Sequence, residues 1–249
     1  MAIIWQKSVE GTDYQVRSAG NTRRLYTDGV FHSQYNPRRP VTGSVWDLLL
    51  LPAFFHSLGH IQRVLVLGVG GGAVVNKLNH FLSPTCIDAV ELNPVHIHVA
   101  KTFFHVSSNN VTLHEADAVT WLKSYRGKKF DLIIDDLFGE ENGEPCRAVA
   151  ADQSWCELLQ RRLNPDGTLV MNFDTPSARR QCYYSDQSHS QWPLKRVLST
   201  PLYSNSVGVW SRQKVDNPNA KFRANLRQFS ALDERQKSCV LNYKMQTMR

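Results

Sequence analysis

The sequence predicts an α/β protein in which helices cover both faces of a mainly parallel β-sheet. In the first of three observations, a run of β-branched and leucine residues stops at a glycine cluster before an amphipathic segment, RVLVLGVGGGAVVNKL (63–78). Secondly, further apolar runs follow, and a helical pattern comes after each of the first four runs. Thirdly, these runs are nearly continuously apolar, which is typical of parallel strands buried on both faces.

Composition is that of an ordinary globular chain. The 249 residues are 42% hydrophobic and 20% charged, enough for one α/β domain with an appendage. The most apolar stretch, LLLLPAFF (48–55), is short and interrupted by Pro52, so no segment spans a bilayer. Because the N-terminus also lacks the pattern of a secretion signal, we expect a cytoplasmic protein with no membrane partner.

The cysteines and histidines show no metal-binding pattern. Five cysteines are widely spaced without a Cys-x-x-Cys pair, and the nine histidines lack ligand spacing. We therefore expect reduced thiols and no metal site. The cysteines are Cys86, Cys146, Cys156, Cys182 and Cys239.

The net charge of +7 is concentrated in the C-terminal tail, where residues 211–249 hold nine Lys and Arg against three Asp and Glu. We interpret this tail as a solvated helical face, and we do not expect a nucleic-acid partner. Contact of the tail with phosphates or with another subunit stays open as the alternative.

The elements follow in order along the chain. Residues 1–40 alternate around Asp28-Gly29, which predicts a small β-hairpin element. A helix is expected from Thr42 or Ser44 to about Ser57. Predicted strands cover 64–68, 87–91, 111–114, 130–135 and 168–173, with helices starting near 94, 118 and 152. A closing antiparallel hairpin, KRVLST with SVGVW, brings the sheet to seven strands, and a tail helix begins near Ala220. The expected domains are 1–40, 41–215 and 216–249.

A ligand site is expected beyond the carboxyl ends of these strands. Glycines after the first strand allow a tight turn that lies against a ligand, which a Cβ would block. Glu91 comes 23 positions after Gly68, about where a second strand presents a carboxylate to a ribose. Asp117 and Asp136 end up at the same edge. The pattern indicates a nucleoside cofactor.

Several motifs in this order resemble a known family. They are the glycine turn, Glu91-Leu92-Asn93-Pro94, Glu115-Ala116-Asp117-Ala118, FDLIIDD and LNPDGTLVMNF. Together they resemble the Rossmann-like class I S-adenosylmethionine-dependent methyltransferase fold, and more narrowly the spermidine synthase (polyamine aminopropyltransferase) superfamily. The resemblance covers about residues 25–210. It implies a mainly parallel seven-stranded sheet, a small N-terminal β-element and a homodimer.

The resemblance also implies roles for individual residues. S-adenosylmethionine or decarboxylated S-adenosylmethionine would be bound by Gly68, Gly70, Gly72, Glu91, Leu92, Asp117 and Ala118. The glycines would line the methionine part, Glu91 would hold the ribose, and Asp117 with Ala118 would contact the adenine. Asp136 falls where aminopropyltransferases keep the acid that accepts a proton from the attacking amine.

The chain departs from the family pattern at the acceptor end. Family members show Asp-Ser-Ser-Asp-Pro where this chain has Asp136-Leu137-Phe138-Gly139-Glu140, so the second acid is missing or shifted to Glu140. His32 stands where a Gln is usual, and Val45-Trp46-Asp47 replaces a Tyr-His-Glu type of sequence. We therefore take Glu140 and His32 as candidates for substrate binding, and the acceptor stays unnamed.

The loop 135–144 holds five carboxylates and no Lys or Arg. Its field would concentrate a cationic amine acceptor, although a solvated surface loop is the alternative. Three hypotheses for the whole chain remain open. The first is a methyltransferase or atypical aminopropyltransferase acting on a small-molecule acceptor. The second is a catalytically silent scaffold that keeps the fold. The third is an NAD-dependent oxidoreductase, because Gly68-x-Gly70-x-x-Ala73 also fits a dinucleotide fingerprint.

Overall fold

The computed structural model describes residues 1–141, 144–186, 188–238 and 240–248. Cys239 lies outside the described residues. For Glu141 and Glu144, in the acid-rich loop, only the backbone is described.

The central sheet has eight strands in the described part of the chain. They are β5 Arg63–Leu67, β6 Cys86–Glu91, β7 Val111–Glu115, β8 Phe130–Asp135, β11 Leu163–Phe173, β12 Leu194–Ser199, β13 Ser206–Ser211 and β14 Lys244–Thr247. Their order in the sheet is β14-β12-β13-β11-β8-β5-β6-β7. Five neighbouring strands are parallel, and β12, β13 and β14 extend one side with antiparallel pairs. This arrangement confirms the predicted Rossmann-like fold.

The described residues also form eight α-helices, two short 3-10 helices and two smaller sheets. The helices are α1 Val45–Leu50, α2 Ala73–Leu82, α3 Pro94–Thr102, α4 Ala118–Ser124, α5 Gln153–Arg162, α6 Pro176–Arg180, α7 Pro218–Arg227 and α8 Ser230–Lys237. The 3-10 helices are Leu51–Phe55 and Tyr183–Ser185. The smaller sheets are built from β1 Ala2–Val9, β2 Thr12–Ala19, β3 Thr22–Thr27 and β4 Val30–Tyr35, and from β9 Phe138–Glu141 and β10 Glu144–Arg147. No described helix is both long and apolar enough to cross a membrane.

The predicted strand number of seven is wrong, because β14 adds an eighth strand at the edge beside β12. Only one of its four residues, Met245, is even partly buried, so the segment lacks the apolar alternation that predicts a strand. Strand β11 also begins earlier than predicted. Its pairing with β8 jumps from Leu163 to Thr168, so the Asn-Pro-Asp-Gly turn is an irregularity inside the strand.

The sheet separates two hydrophobic cores. Alternate residues of β5 point to opposite faces, so that Val64 and Val66 join one core while Leu65 and Leu67 join the other, and all four are fully buried. Burial on both faces explains why the strand reads as an unbroken apolar run.

Helix α1 is shorter than predicted and ends in a 3-10 turn at Leu51–Phe55. Pro52 has no N–H to donate to the preceding turn, so the chain tightens there. Ser44 occupies the N-cap position, but its side chain does not cap the helix. Instead, Asp47 Oδ2 accepts the N–H groups of Thr42 and Gly43 at 3.1 and 2.7 Å.

Asp47 and Lys77 form a buried ion pair between α1 and α2. Lys77 Nζ lies 2.5 Å from Asp47 Oδ1. The Lys77 side chain is 0% exposed and the Asp47 side chain is 4% exposed. Lys77 also donates to the carbonyl of Pro40. The pair fixes α1, which carries Trp46, against the helix that follows the glycine turn.

Candidate active site

One large cleft lies at the carboxyl ends of the parallel strands and has a volume of about 1240 Å³. Its walls come from the glycine turn, the ends of β6 and β8, the β9–β10 hairpin and the N-terminal sheet. Nine of the ten residues predicted for the site line it: His32, Gly68, Gly70, Glu91, Leu92, Asp117, Ala118, Asp136 and Glu140. The chain order thus brings them together as the topology requires.

In the glycine turn, neighbouring backbone lies close to the positions that side chains would occupy. Gly68 has a φ of +81°, and a Cβ there would lie 2.2 Å from the backbone oxygen of Asp136. Gly70 has a φ of +52°, and its Cβ would lie 3.0 Å from the backbone oxygen of His32. The pattern of glycines predicts that a ligand fills the space of the missing Cβ, and the structure corrects this. Gly68 allows the turn to touch the loop that carries Asp136.

Gly72 does not line the cleft. It precedes α2 in the left-handed conformation, and a Cβ would meet the Val106 side chain at 2.4 Å. Its N–H donates to the carbonyl of Val69 at 2.8 Å, which closes the turn. In this structure Gly72 shapes the turn from behind, so the predicted contact with the methionine part of a nucleoside has no geometric support.

Gly68→Ala should destabilise the protein by more than the ~1–2 kcal/mol that a left-handed residue costs. The added Cβ also forces the backbone at Asp136 to move. Gly11→Ala is the matched control, because Gly11 has a φ of +85° and open space around its Cβ. Urea unfolding of both variants measures the difference. Equal losses of stability would show that the contact with Asp136 is unimportant.

Glu91, at the end of β6, is held by backbone N–H groups. Its Oε2 accepts from Val69 and Gly70 at 2.9 Å each, and its Oε1 accepts from Asn93 at 2.9 Å. Burial raises the pKa of Glu91, but His96 and the N–H groups of Asn93 and Gly70 outweigh it, so the pKa lies below its usual value. The carboxylate is therefore ionised and couples the glycine turn to β6.

The N-terminal sheet reaches the same carboxylate through His96. Thr27 Oγ1 lies 2.9 Å from His96 Nε2, and His96 Nδ1 lies 3.8 Å from Glu91 Oε1. The His32 ring lies 5.1 Å from the His96 ring. Burial and His96 lower the pKa of His32 to about 4, although Glu91 raises it. His32 is therefore a neutral imidazole at pH 7, and it faces a ligand as a neutral hydrogen-bonding group.

The predicted adenine end of the cleft is formed at the starts of α3 and α4. Leu92 is 68% exposed, so its side chain offers apolar surface to a ligand. Asp117 caps α4 by accepting the N–H of Thr120 at 2.8 Å, which lowers the pKa of its carboxyl. The Asp117 side chain is exposed at the mouth of the cleft. Ala118 is buried beside it and leaves room for a flat ring.

Asp136 lies at the opposite end, directly after β8. Its backbone N–H donates to the Leu67 carbonyl at 2.8 Å, and its Oδ1 accepts from Asn172 Nδ2 at 2.8 Å. Burial raises the pKa of Asp136 to about 7, and nearby Asp135 adds to the rise, whereas Asn172, Arg147 and Trp46 oppose it. A carboxyl group with this pKa exchanges a proton readily near neutral pH.

Asp135 supports Asp136 from below and is fully buried. It accepts hydrogen bonds from Arg147 Nη2 and Trp155 Nε1, both at 2.8 Å. Arg147 belongs to β10, so this ion pair fixes the β9–β10 hairpin over the cleft. Arg147 also donates to the Asn172 carbonyl at 2.6 Å. Sequence reasoning missed Arg147, Asn172 and the hairpin, because the hairpin segment has no apolar alternation.

The cleft is strongly acidic within a basic protein. Six carboxylate residues line it, and no Lys or Arg is found among the described lining residues. Three of the six residues are exposed, including Glu140. The six are Asp28, Glu91, Asp117, Asp136, Glu140 and Asp174. Such a cleft attracts cationic ligands. No cluster of His, Cys, Asp and Glu suited to a metal ion occurs in the described ranges.

The glycine turn, the acids after β6 and β8 and the mainly parallel sheet define the class I methyltransferase fold. A crystal structure of spermidine synthase from Thermotoga maritima has the same fold, with a TM-score of 0.68 at 16% identity over 92% of this chain and 78% of that chain. The chain belongs to the spermine/spermidine synthase domain family, whose profile matches residues 47–203. This membership confirms the resemblance stated from the motifs.

Two curated relatives carry transferase names. A polyamine aminopropyltransferase of Vibrio vulnificus is 31% identical over 114 residues, which cover 45% of this chain and 37% of that protein. A human eEF1A lysine and N-terminal methyltransferase is 30% identical over 118 residues, which cover 44% of this chain and 17% of that protein. The chain thus matches well under half the length of either relative. Both relatives are transferases by name, which is the enzyme class that the sequence predicts for this chain.

Proposed function

We propose that this protein transfers an alkyl group from a sulfonium nucleoside to an amine. The observation that carries the proposal is the acidic cleft, in which Asp136, with its pKa of about 7, lies beside a nucleoside-type glycine turn. A sulfonium donor and a protonated amine are both cations, and both are suited to a cleft lined by carboxylates. The names of the two curated relatives, an aminopropyltransferase and a methyltransferase, support the same chemistry.

The residues present fit a nucleoside donor. Glu91 Oε2 already accepts two N–H groups, whereas Oε1 accepts one at hydrogen-bond distance, so a ribose hydroxyl would donate to Oε1. Leu92 and Ala118 would contact the flat adenine, and the exposed carboxylate of Asp117 would accept from its amino group. When bound, the donor would supply an activated carbon attached to a positively charged sulfur.

The protein's own part in the reaction is to align the acceptor and to take its proton. An amine is mostly protonated near pH 7 and needs a free electron pair to attack carbon. Ionised Asp136 accepts one proton from the ammonium, the nitrogen lone pair forms the new C–N bond, and the C–S bond electrons return to sulfur. The charges balance, because the carboxylate and the sulfonium become a carboxylic acid and a neutral thioether, and the ammonium substrate becomes an alkylated ammonium of the same charge. Alignment in the cleft supplies much of the acceleration.

A panel of acceptors tests the proposal. Diamines, polyamines, a lysine-containing peptide and neutral alcohols would each be incubated with S-adenosylmethionine or its decarboxylated form, and the thioether nucleoside product would be followed. We expect turnover on at least one amine and none on the alcohols. Activity restricted to neutral acceptors would remove the cationic-substrate proposal. The comparisons do not favour the scaffold and oxidoreductase alternatives.

Glu91→Ala should weaken nucleoside binding by about 1–3 kcal/mol, the scale for losing hydrogen bonds to a charged acceptor. The same change frees the N–H groups of Val69 and Gly70. Calorimetric titration measures the affinity, and circular dichroism verifies the fold. An unchanged affinity in a folded variant would show that Glu91 does not hold the nucleoside.

A further inference from the structure

Two asparagine side chains connect Asp136 to the loop between β12 and β13. Asn172, on β11, donates through Nδ2 to Asp136 Oδ1 at 2.8 Å. Its own Oδ1 accepts from Asn205 Nδ2 at 3.2 Å. Asn172 is 2% exposed, and both asparagines line the cleft. We call this chain, Asn205 to Asn172 to Asp136, the amide relay.

The relay fixes which end of the Asn172 amide faces the carboxylate. Asp136 presents an oxygen that accepts, so Asn172 must turn its NH₂ group toward it. The Asn172 oxygen then points to Asn205, whose NH₂ satisfies it. If the amide were reversed, its oxygen would face a carboxylate oxygen, and a buried repulsive contact of this kind is costly. Asn205 therefore stabilises the orientation in which Asn172 acts as donor.

A hydrogen bond donated to a carboxylate favours its ionised form. Asp136 needs such donors, because its own burial and the neighbouring Asp135 both favour the protonated form. The groups that oppose these two influences are Asn172, Arg147 on β10 and Trp46 on α1. Arg147 is already bound to Asp135 and to the Asn172 carbonyl. Strand β11 thus supplies one hydrogen-bond donor to the Asp136 carboxylate, the Asn172 side chain.

We infer that Asn172 and Asn205 are positioning residues that set the pH range in which Asp136 accepts a proton from an amine substrate. The inference rests on the proposed function, because it specifies how the site keeps a partly buried carboxylate ready for a protonated amine. A thioether acceptor carries no proton on its attacking atom and would gain nothing from this device. Asn172 lies within the LNPDGTLVMNF motif, but the sequence predicts no role in the chemistry for either asparagine.

The test compares Asn172→Leu, Asn205→Ala and the control Asn79→Ala. Leu has nearly the shape of Asn but donates nothing to Asp136. Asn79 accepts from Asn110 Nδ2 at 2.8 Å, so it belongs to a similar amide pair, but it lies outside the cleft. For each protein, kcat and KM for the best amine acceptor would be measured from pH 5 to pH 9. The range brackets the pKa of about 7.

Removing a donor to the ionised form raises the pKa of Asp136, so activity should fall at a higher pH than in the unmodified protein. We expect the acidic limb of kcat/KM to move up by about one pH unit in Asn172→Leu, which is the scale of one lost hydrogen bond. Asn205→Ala should move it in the same direction by less. Asn79→Ala should leave the limb in place. A limb that stays fixed in both relay variants would overturn the inference.

A second readout separates this inference from the proposed function. Carboxyl carbons of aspartate, labelled with ¹³C, would be titrated by NMR, with Asp136→Asn used to assign the resonance. A higher Asp136 pKa in Asn172→Leu supports the relay even if no amine is turned over, in which case only the proposed function fails. An unchanged Asp136 pKa refutes the relay whatever the activity. If Asn172→Leu does not fold, Asn205→Ala carries both measurements.

Discussion

Asp136→Asn is expected to lower turnover at least ~100-fold, the low end of the effects seen when a general base is removed. The amide is nearly the same size as the carboxyl group, so its hydrogen bond with Asn172 can be kept by rotation while the proton acceptor is lost. Nucleoside affinity should change little, because the ribose and the adenine would be held by residues after β6 and β7 and not by the Asp136 carboxyl group. Initial rates with the best amine acceptor, together with calorimetry, measure both quantities.

The unmodified protein should show a matching pH dependence. Asp136 must be ionised to accept a proton, so kcat/KM should fall as the pH drops through its pKa of about 7. Asp166→Asn is the control, because Asp166 is a half-exposed acid outside the cleft, paired with His60. It should retain both the rate and the profile. Full activity of Asp136→Asn on any acceptor would exclude the proton-accepting role.

Lys77→Met is expected to lower the free energy of unfolding by about 3–5 kcal/mol, the cost of leaving one partner of a buried ion pair alone. Asp47 keeps its two backbone donors, but its carboxylate stays buried at 4% exposure without a cation. Met fills the space of the Lys stem, so the loss reports the charge and not a cavity. Urea unfolding followed by circular dichroism provides the measurement.

Lys237→Met is the matched control for that change. Lys237 also pairs with an aspartate, Asp233, at 2.6 Å, but its side chain is 73% exposed. Exposed pairs contribute little to stability, so we expect no measurable change in the control. The double variant Lys77→Met with Asp47→Leu should recover part of the loss, because it removes the stranded charge. Equal stabilities of Lys77→Met and Lys237→Met would contradict the importance of the buried pair.

The sequence predicted the part of this protein that depends on short-range pattern. An apolar strand, a glycine turn and a helix are adjacent in the chain, and an acid after each following strand must reach the same edge of a parallel sheet. Chain order alone therefore places Glu91, Asp117 and Asp136 in one cleft. The position of Gly72 outside the cleft could not be predicted, because a glycine pattern does not tell which side of the turn each residue faces.

The features that sequence reasoning missed depend on contacts between distant residues. Arg147 is recognisable as a structural residue only once β10 folds back to place it 2.8 Å from Asp135. Asn172 lies within an apolar strand, and the sequence pattern gives no reason to expect a role for its amide. The role becomes visible only from its contacts with Asp136 and Asn205 in the folded protein. Strand β14 is four residues long and mostly exposed, so its pairing with β12 decides its conformation.

The central claim is that the cleft binds a sulfonium nucleoside, and calorimetric titration of the intact chain tests it most directly. S-adenosylmethionine, decarboxylated S-adenosylmethionine and NAD would be titrated separately under one buffer condition. We predict that at least one sulfonium nucleoside binds with one site per chain and that NAD does not bind. Tight binding of NAD, with no heat from either sulfonium nucleoside, would contradict it.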